Sequence, residues 1–353
     1  MQLYDRPRRA TRAALCLLAT SLAFAATAVR EDAPTRESLY ASNRDAEDDG
    51  RFITPWANSN RSLWRMLRWT FSRSPYAGVD APPTPVVAND GAYLSDANAP
   101  TSLTWIGHAS YLIHDGGDVV LTDPHFTKRA LLPARLVPAG IEMSAVPDDA
   151  FAVISHNHYD HLDGGSVKGL PDSVGWYVPL GLAEWFHDRG RHDVTELDWW
   201  QSAERGRWKI TCLPSQHWSQ RIEQAANTTL WCAWLIESGE RRYFFAGDTG
   251  YFHGFAEYGR VFPDIDAALL PIGAYSPRWF MKFQHMDPAE AYQAFRDLGA
   301  SHLFAMHWGT FDLTDEPPGH PPTELAEVIA AAGGDPEPVH VLAVGERFLL
   351  PPN

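Results

Sequence analysis

Phe151-Ala152-Val153-Ile154-Ser155-His156-Asn157-His158-Tyr159-Asp160-His161 is the stretch on which the reading of this chain turns. An apolar run of strand length leads straight into three histidines and an aspartate within six positions. Zinc and related ions need several imidazoles or carboxylates converging at about 2 Å, roughly tetrahedrally. A strand followed by a tight loop aims His156 and His158 to the same side. Asp160 and His161 then reach in from the start of the next helix. Four residues of ligand type in six positions exceed what one ion takes comfortably from one loop, so the stretch predicts two ions side by side. A lone histidine is ordinarily a surface or core residue. Three with an aspartate at one strand end would gather hydrated groups with nothing structural to show for it.

The same form, an apolar strand and then a ligand, recurs downstream. Cys212-Leu213-Pro214-Ser215-Gln216 leads to His217, Tyr243-Phe244-Phe245-Ala246-Gly247 to Asp248, and Leu303-Phe304-Ala305-Met306 to His307. Taken singly, each is a satisfied histidine or a capping aspartate. Beside the first cluster, they supply the remaining ligands. Gly247 allows the sharp turn that Asp248 needs.

From Thr101 onward the pattern is α/β. Leu103–Trp105, Tyr111–His114, Val119–Thr122, Phe151–Ser155, Trp208–Leu213, Leu230–Glu237, Arg242–Ala246, Ala267–Pro271 and His302–Met306 read as strands, with further strands over Val339–Leu350. Leu180–Arg189, Pro288–Leu298 and Pro322–Ala332 read as helices. Asp287 is placed to cap the second, with Pro288 in its first turn. No internal repeat shows in the sequence. The polar clusters sit at strand ends, where a rigid sheet presents ligands.

The N-terminus reads as an address. Arg6, Arg8, Arg9 and Arg12 precede an apolar run from Ala13 to Val29 that ends in small residues, with Ala26-Thr27-Ala28 as the cleavage site. Residues 1–28 are thus expected to be a secretory signal, and the mature protein to be exported, periplasmic or membrane-associated. Residues 30–55 are polar and read as a flexible leader, so 29–95 precedes a catalytic domain at 96–353. Within it, residues 60–74 predict an amphipathic helix. Leu63, Leu67 and Phe71 recur at helical spacing, and Arg61, Arg65 and Arg68 share a face. Such a helix lies on a lipid surface or packs its apolar side on the domain.

Charge narrows the partners. The 353 residues carry a formal net charge of −15, and signal removal takes it to −18. That argues against nucleic acid, which calls for clustered Lys and Arg. With Cys16 inside the leader, only Cys212 and Cys232 remain, as a pair or as two buried thiols. Two cysteines make no thiolate zinc cluster, so His and carboxylates must hold the metal.

His-x-His-x-Asp-His followed by a distant His, Asp and His resembles the metallo-β-lactamase superfamily. Longer stretches resemble one branch of it, the N-acyl-phosphatidylethanolamine-hydrolysing phospholipases D. They are GRFITPW at 50–56, SHNHYDHLD at 155–163, VPLGL at 178–182, ELDWW at 196–200, PSQHW at 214–218, FFAGDTGY at 244–251, PIGAYSPRWFMKFQHMDPAEA at 271–291 and HWGTF at 307–311. The resemblance runs from about residue 50 to the end. It implies an αβ/βα sandwich, two mixed sheets flanked by helices. It also implies one zinc on His156, His158 and His217, a second on Asp160, His161 and His307, and Asp248 bridging them. Iron or manganese also suits such ligands. Tyr159 and His285 would meet the phospholipid head group, and Asp123 would brace a ligand imidazole. His108, in a matching motif, receives no ligand role. Relatives of this kind resemble homodimers that sit peripherally on membranes. The family has a basic residue shortly after its His-Trp pair, where this chain has Gln220 and then Arg221, which puts bile-acid-type regulation in doubt.

Two metals can share a water, hold it as hydroxide and stabilise a phosphoryl transition state. The resemblance therefore implies attack on phosphorus, with Asp248 and Asp160 in the catalytic centre and His285 helping the alkoxide leave. The products would be N-acylethanolamine and phosphatidic acid. Trp218, Trp279, Phe280 and Phe283 either line an acyl groove or are ordinary core. The competing expectations are another hydrolase on the same scaffold (a lactonase, thioesterase, β-lactamase or general phosphodiesterase) and a catalytically silent zinc protein.

Overall fold

The computed structural model describes residues 35–45, 50–57 and 62–352, so the leader read at 1–28 lies outside it. Strands β1 (Ser102–Gly107), β2 (Ser110–Asp115), β3 (Asp118–Thr122), β4 (Phe151–Val153), β5 (Gly175–Pro179) and β6 (Val194–Leu197) make one sheet. Strands β7 (Ser202–Arg205), β8 (Trp208–Leu213), β9 (Ala233–Glu237), β10 (Arg242–Phe245), β11 (Ala267–Pro271) and β12 (His302–Met306) make the other. The last two strands divide between them. β13 (Val339–His340) extends the second sheet beside β12, and β14 (Arg347–Leu349) extends the first beside β1. Each sheet runs three antiparallel pairings and then three parallel ones. The chain builds one plan twice without a visible sequence repeat.

Alternation along the strands sorts the side chains. Tyr111, Ile113, Phe151 and Val153 enter the large core shared with the second sheet, while Leu112, Ala152 and Ile154 enter a smaller core on the other face. Strands covered on both faces read as continuous apolar runs, which is how Phe151–Ile154 reads. Helices α1 (Leu63–Phe71), α2 (Gly164–Gly169), α3 (Ala183–His187), α4 (Gly254–Val261), α5 (Arg278–Met281), α6 (Pro288–Leu298) and α7 (Pro321–Ala331) flank the sheets. Val167 of α2 and Trp185 and Phe186 of α3 close the smaller core, and α6 packs on β11. The protein is thus an α/β sandwich of two mixed sheets between helices. Helix α6 has its expected bounds. Asp287 accepts a hydrogen bond from Glu290 N–H, and Gly299 ends the helix at φ 62°.

Two expectations for the N-terminal region change. The stretch read as a flexible leader is packed from Thr35 onward where it is described. Leu39 and Phe52 are each 1% exposed, Arg36 and Tyr40 bond Glu257, and Trp56 stacks on Phe252 at 5.0 Å. Single apolar residues fill separate gaps there, so no periodicity announces them. The helix is also shorter than 60–74, and the residue it buries is Trp69. Trp64 and Phe71 are 80% and 83% exposed. Trp69 is buried because its Nε1–H reaches Asp315 Oδ1 (2.8 Å) and its ring stacks on Phe280. No helix among the described residues is long and apolar enough to cross a membrane.

Candidate metal centre

The ends of the strands deliver the site. The chain leaves β4 into His156–His161, β8 toward His217, β10 into Asp248 and β12 into His307. Asp123 follows β3, and His108 follows β1. His108, Asp123 and His307 have φ of 54°, 34° and 61°, left-handed values that non-glycine residues rarely adopt and that gather at functional sites. Gly247, at φ 56°, is required twice over, since a Cβ there would lie 2.4 Å from Ser155 Cβ.

Two donor sets converge. Donor atoms of His156, His158, His217 and Asp248 lie within 4.8 Å of one another, as do those of His108, Asp160, His161 and His307. Asp248 joins the sets. Its Oδ2 is 3.8 Å from His156 Nε2, 3.7 Å from His217 Nε2 and 3.1 Å from His161 Nε2, and its Oδ1 is 3.0 Å from His307 Nε2. His158 Nδ1 lies 2.8 Å from His156 Nε2 and 3.2 Å from His217 Nε2. A tetrahedral shell with bonds of about 2 Å sets neighbouring donors about 3.3 Å apart, close to this crowding. His161 Nε2, His307 Nε2 and Asp248 Oδ1 are buried without a well-formed hydrogen bond. Lone pairs aimed at a common point, and buried oxygen and nitrogen atoms left over, fit divalent cations.

Charge supports the same fit. Burial works to raise Asp248 and Asp160, but the surrounding histidines together outweigh it, His161 foremost, and hold both well below the usual carboxylate range. Burial works to lower His307, but Asp248 and Asp160 push it up to about 9. His161 is likewise held well above the imidazole range, against burial, by Asp248 and Asp160. Burial pushes His156, His217 and His285 well below it. The buried carboxylates thus call for positive charge, which protonated His161 and His307 supply and which a divalent cation would supply in their place.

Around the donors lies a bracing layer. Asp123 Oδ2 accepts from His161 Nδ1 at 2.6 Å and from Ser155 Oγ, while its Oδ1 accepts from Ser155 N–H. Ser155 Oγ also lies 2.9 Å from His156 Nδ1, so one buried carboxylate orients an imidazole in each donor set. His217 Nδ1 donates to the Gln284 carbonyl. Arg221, buried between the rings of Tyr159 and Trp185, donates to the carbonyls of Asn157 and Leu162 and so ties down the cluster's own loop.

A cavity opens onto the cluster. Its floor includes His158, Asp160, Asp248, His285 and His307, and Met66, Trp69, Leu132, Trp218, Phe280 and Leu313 are among its mostly apolar walls. His285 borders the cluster, with Nδ1 3.8 Å from Asp248 Oδ2. Tyr159 lines the same cavity, but its hydroxyl is engaged, donating to Glu223 and accepting from Ile222 N–H. Of the aromatic residues expected at an acyl groove, Trp218 and Phe280 line it. Trp279 and Phe283 are not in the lining, and Trp279 lies under Arg68. Ser155, Met66 and Trp69 were not singled out from the sequence for the site. Nothing local marks them, because their partners come from distant segments.

Fold and floor together define a metal-dependent hydrolase. The model of the beta-lactamase superfamily domain matches residues 119–308. An N-acyl-phosphatidylethanolamine-hydrolyzing phospholipase D of Caenorhabditis elegans is 39% identical over 65% of this chain and 69% of its own length. An uncharacterized protein of Mycobacterium tuberculosis is 36% identical over 80% of the chain and 76% of its own. Among solved structures, a possible metal-dependent hydrolase from Veillonella parvula superposes with a TM-score of 0.60 at 18% identity, covering 71% of this chain and all of that one. The chain belongs to the metallo-β-lactamase superfamily, in the branch that includes the N-acyl-phosphatidylethanolamine-hydrolysing phospholipases D.

Proposed function

We propose that the protein is a phosphodiesterase of the phospholipase D type that cleaves N-acyl-phosphatidylethanolamine to N-acylethanolamine and phosphatidic acid. The observation that carries this reading is the cavity, in which mostly apolar walls stand directly over a floor of histidines and aspartates. A diester with a charged centre and long acyl chains matches both parts. The names of its relatives point the same way.

His156, His158 and His217 would hold one zinc, Asp160, His161 and His307 the other, with Asp248 between. Two such ions supply a water of lowered pKa as nucleophile and neutralise charge on the phosphoryl oxygens. Asp248 and Asp160 contribute the negative charge that fixes them. His285, neutral by burial and facing the cavity, donates its single N–H to a phosphoryl oxygen, so the departing alkoxide takes the proton that the attacking water gives up. Tyr159 shapes the rim with its ring, since its hydroxyl is committed to Glu223 and Ile222. Leu132 and Ile222, exposed at the mouth, and Trp64 and Phe71 on α1 meet a lipid surface, from which the substrate enters.

The test is a side-by-side assay of metal-loaded protein on N-acyl-phosphatidylethanolamine in mixed micelles, a water-soluble phosphodiester, a lactone, a thioester and a β-lactam. Products are identified by mass spectrometry. Release of N-acylethanolamine with phosphatidic acid is expected. Turnover of the lactone, thioester or β-lactam with neither phosphodiester cleaved would overturn the proposal.

A further inference from the structure

We infer that His108 is a positioning residue for Asp160, holding that carboxylate in the orientation a metal ion needs. The inference rests on Asp160 being a ligand, as in the reading above. His108 Nε2 lies 3.0 Å from Asp160 Oδ2, whereas the ring nitrogens of His161 and His307 stand 3.7 Å from the same oxygen. His108 is 1% exposed, so its ring has no solvent to face and turns Nε2 to Asp160 at the cavity floor.

The backbone at His108 is pinned from three sides. Its N–H donates to Thr310 Oγ1 at 2.6 Å, and its carbonyl accepts from Trp105 Nε1–H and from the N–H of His307, each at 3.0 Å. Its ring lies 4.0 Å from the His307 ring and edge-on to Phe311 at 5.1 Å. One residue thus braces Asp160 through its side chain and His307 through its backbone, and both belong to the same donor set. The left-handed backbone at φ 54° is costly for a side-chain-bearing residue and persists because these contacts hold it.

Although His108 sits within the donor cluster, its Nε2 makes a well-formed hydrogen bond to Asp160, whereas the Nε2 atoms of His161 and His307 make none. A ring nitrogen that gives its proton to a carboxylate has no lone pair to offer an ion, and Nε2 faces Asp160. Ligating carboxylates are themselves held by such donors, and removing the donor typically weakens metal binding about 10–100-fold.

The test uses the full chain with His108→Phe, which keeps the ring packing and removes the donor, and His108→Gln, which keeps an N–H donor. Zinc affinities are measured by competition with a chelating indicator, and folding by circular dichroism. In His108→Phe one of the two ions is expected to bind about 10–100-fold more weakly, with the other unchanged. His108→Gln should stay within a few-fold of wild type and, fully loaded, show the wild-type number of imidazole ligands by X-ray absorption. If His108→Phe does not fold, His108→Leu carries the same comparison. Unchanged affinity in the donor-less variant would overturn the inference. So would equal weakening in His108→Gln with one imidazole fewer, because His108 would then be a ligand itself. Wild type taking up a single ion would break the two-ion reading instead. The positioning role would then stand if His108→Phe still loosened that ion and fall if it did not.

Discussion

The floor of the cavity and its walls come from the chain in opposite ways. The floor is made where strands stop, with His156 to His161 after β4, His217 after β8, Asp248 after β10 and His307 after β12. Each ligand follows its own apolar run, so each is announced by its neighbours. The walls take Met66 and Trp69 from α1, Leu132 from the loop after β3, Trp218 from beside His217, Phe280 from α5 and Leu313 from after β12. Those residues share no pattern. They meet because the sheets bring their segments to one edge. Strand ends fix the chemistry and the segments laid over them fix what reaches it, so substitutions in the two regions should produce different kinds of loss.

Asp248→Asn should have the largest effect. Asp248 stands between both donor sets and carries the charge they share. Its kcat/KM is expected to fall by about three orders of magnitude or more, ~4 kcal/mol, on every substrate the enzyme turns over. Parallel assays on a long-chain phospholipid and a water-soluble phosphodiester check this, with circular dichroism confirming the fold. A loss confined to one substrate would erase the distinction between floor and wall.

Asp123→Asn reaches the floor from behind. Asparagine keeps one acceptor for Ser155 N–H but loses the charge facing His161 Nδ1 and the second acceptor at Oδ2. Zinc affinity should drop about 10–100-fold. Because Ser155 links Asp123 to His156 as well, both ions should loosen, unlike the single-ion effect expected at His108. A chelator-competition titration separates the two patterns.

Trp69→Ala tests a wall. It removes the indole over Phe280 and the hydrogen bond that ties α1 to Asp315. KM for a long-chain substrate should rise about tenfold, ~1.4 kcal/mol, while the water-soluble phosphodiester and the zinc content stay at wild-type values. Equal loss on both substrates would mean that α1 supports the floor as well.

That contrast also explains what the sequence discloses. The α/β class, helix α6 with its N-cap, and the residues of the cluster were legible, because each depends on a strand, a turn and a side chain adjacent in the chain; the division into two sheets followed only from the family resemblance. His108 carried the same signal, an apolar strand and then Gly107-His108, yet received no role; its partner Asp160 is 52 positions away. Strands β5, β6 and β7 were missed. β7 is a polar edge strand, Ser202–Arg205, with no apolar run to mark it. At α1 the periodicity of Leu63, Leu67 and Phe71 left a lipid-facing and an inward reading open, and it gave no sign that the hydrogen bond to Asp315 would draw Trp69 inward. The packed segment from Thr35 was invisible because Leu39, Phe52 and Trp56 owe their burial to surfaces built later in the chain.

The smallest expected effect lies behind the wall, at Glu316. This carboxylate accepts from Tyr275 N–H, Ser276 N–H and Thr314 Oγ–H, and Ala274 and Thr314 beside it line the cavity. Burial pushes it up to about 7 from an ordinary 4.5, against the pull of those donors. An acid raised by folding binds its proton more tightly in the native state. The native protein therefore holds more protons than the unfolded chain between those two values, and its stability falls as pH rises through that window, then levels off above it. Each pH unit inside the window corresponds to at most about 1.4 kcal/mol. Glu316→Gln removes the titration while keeping the shape, so its Tm should decline less steeply than wild type between pH 4.5 and 7, and the two curves should run parallel above that. Identical slopes would show that Glu316 is ionised in the fold throughout. Activity on the water-soluble phosphodiester should track wild type across the same range, since the floor does not feel this carboxylate and the wall does.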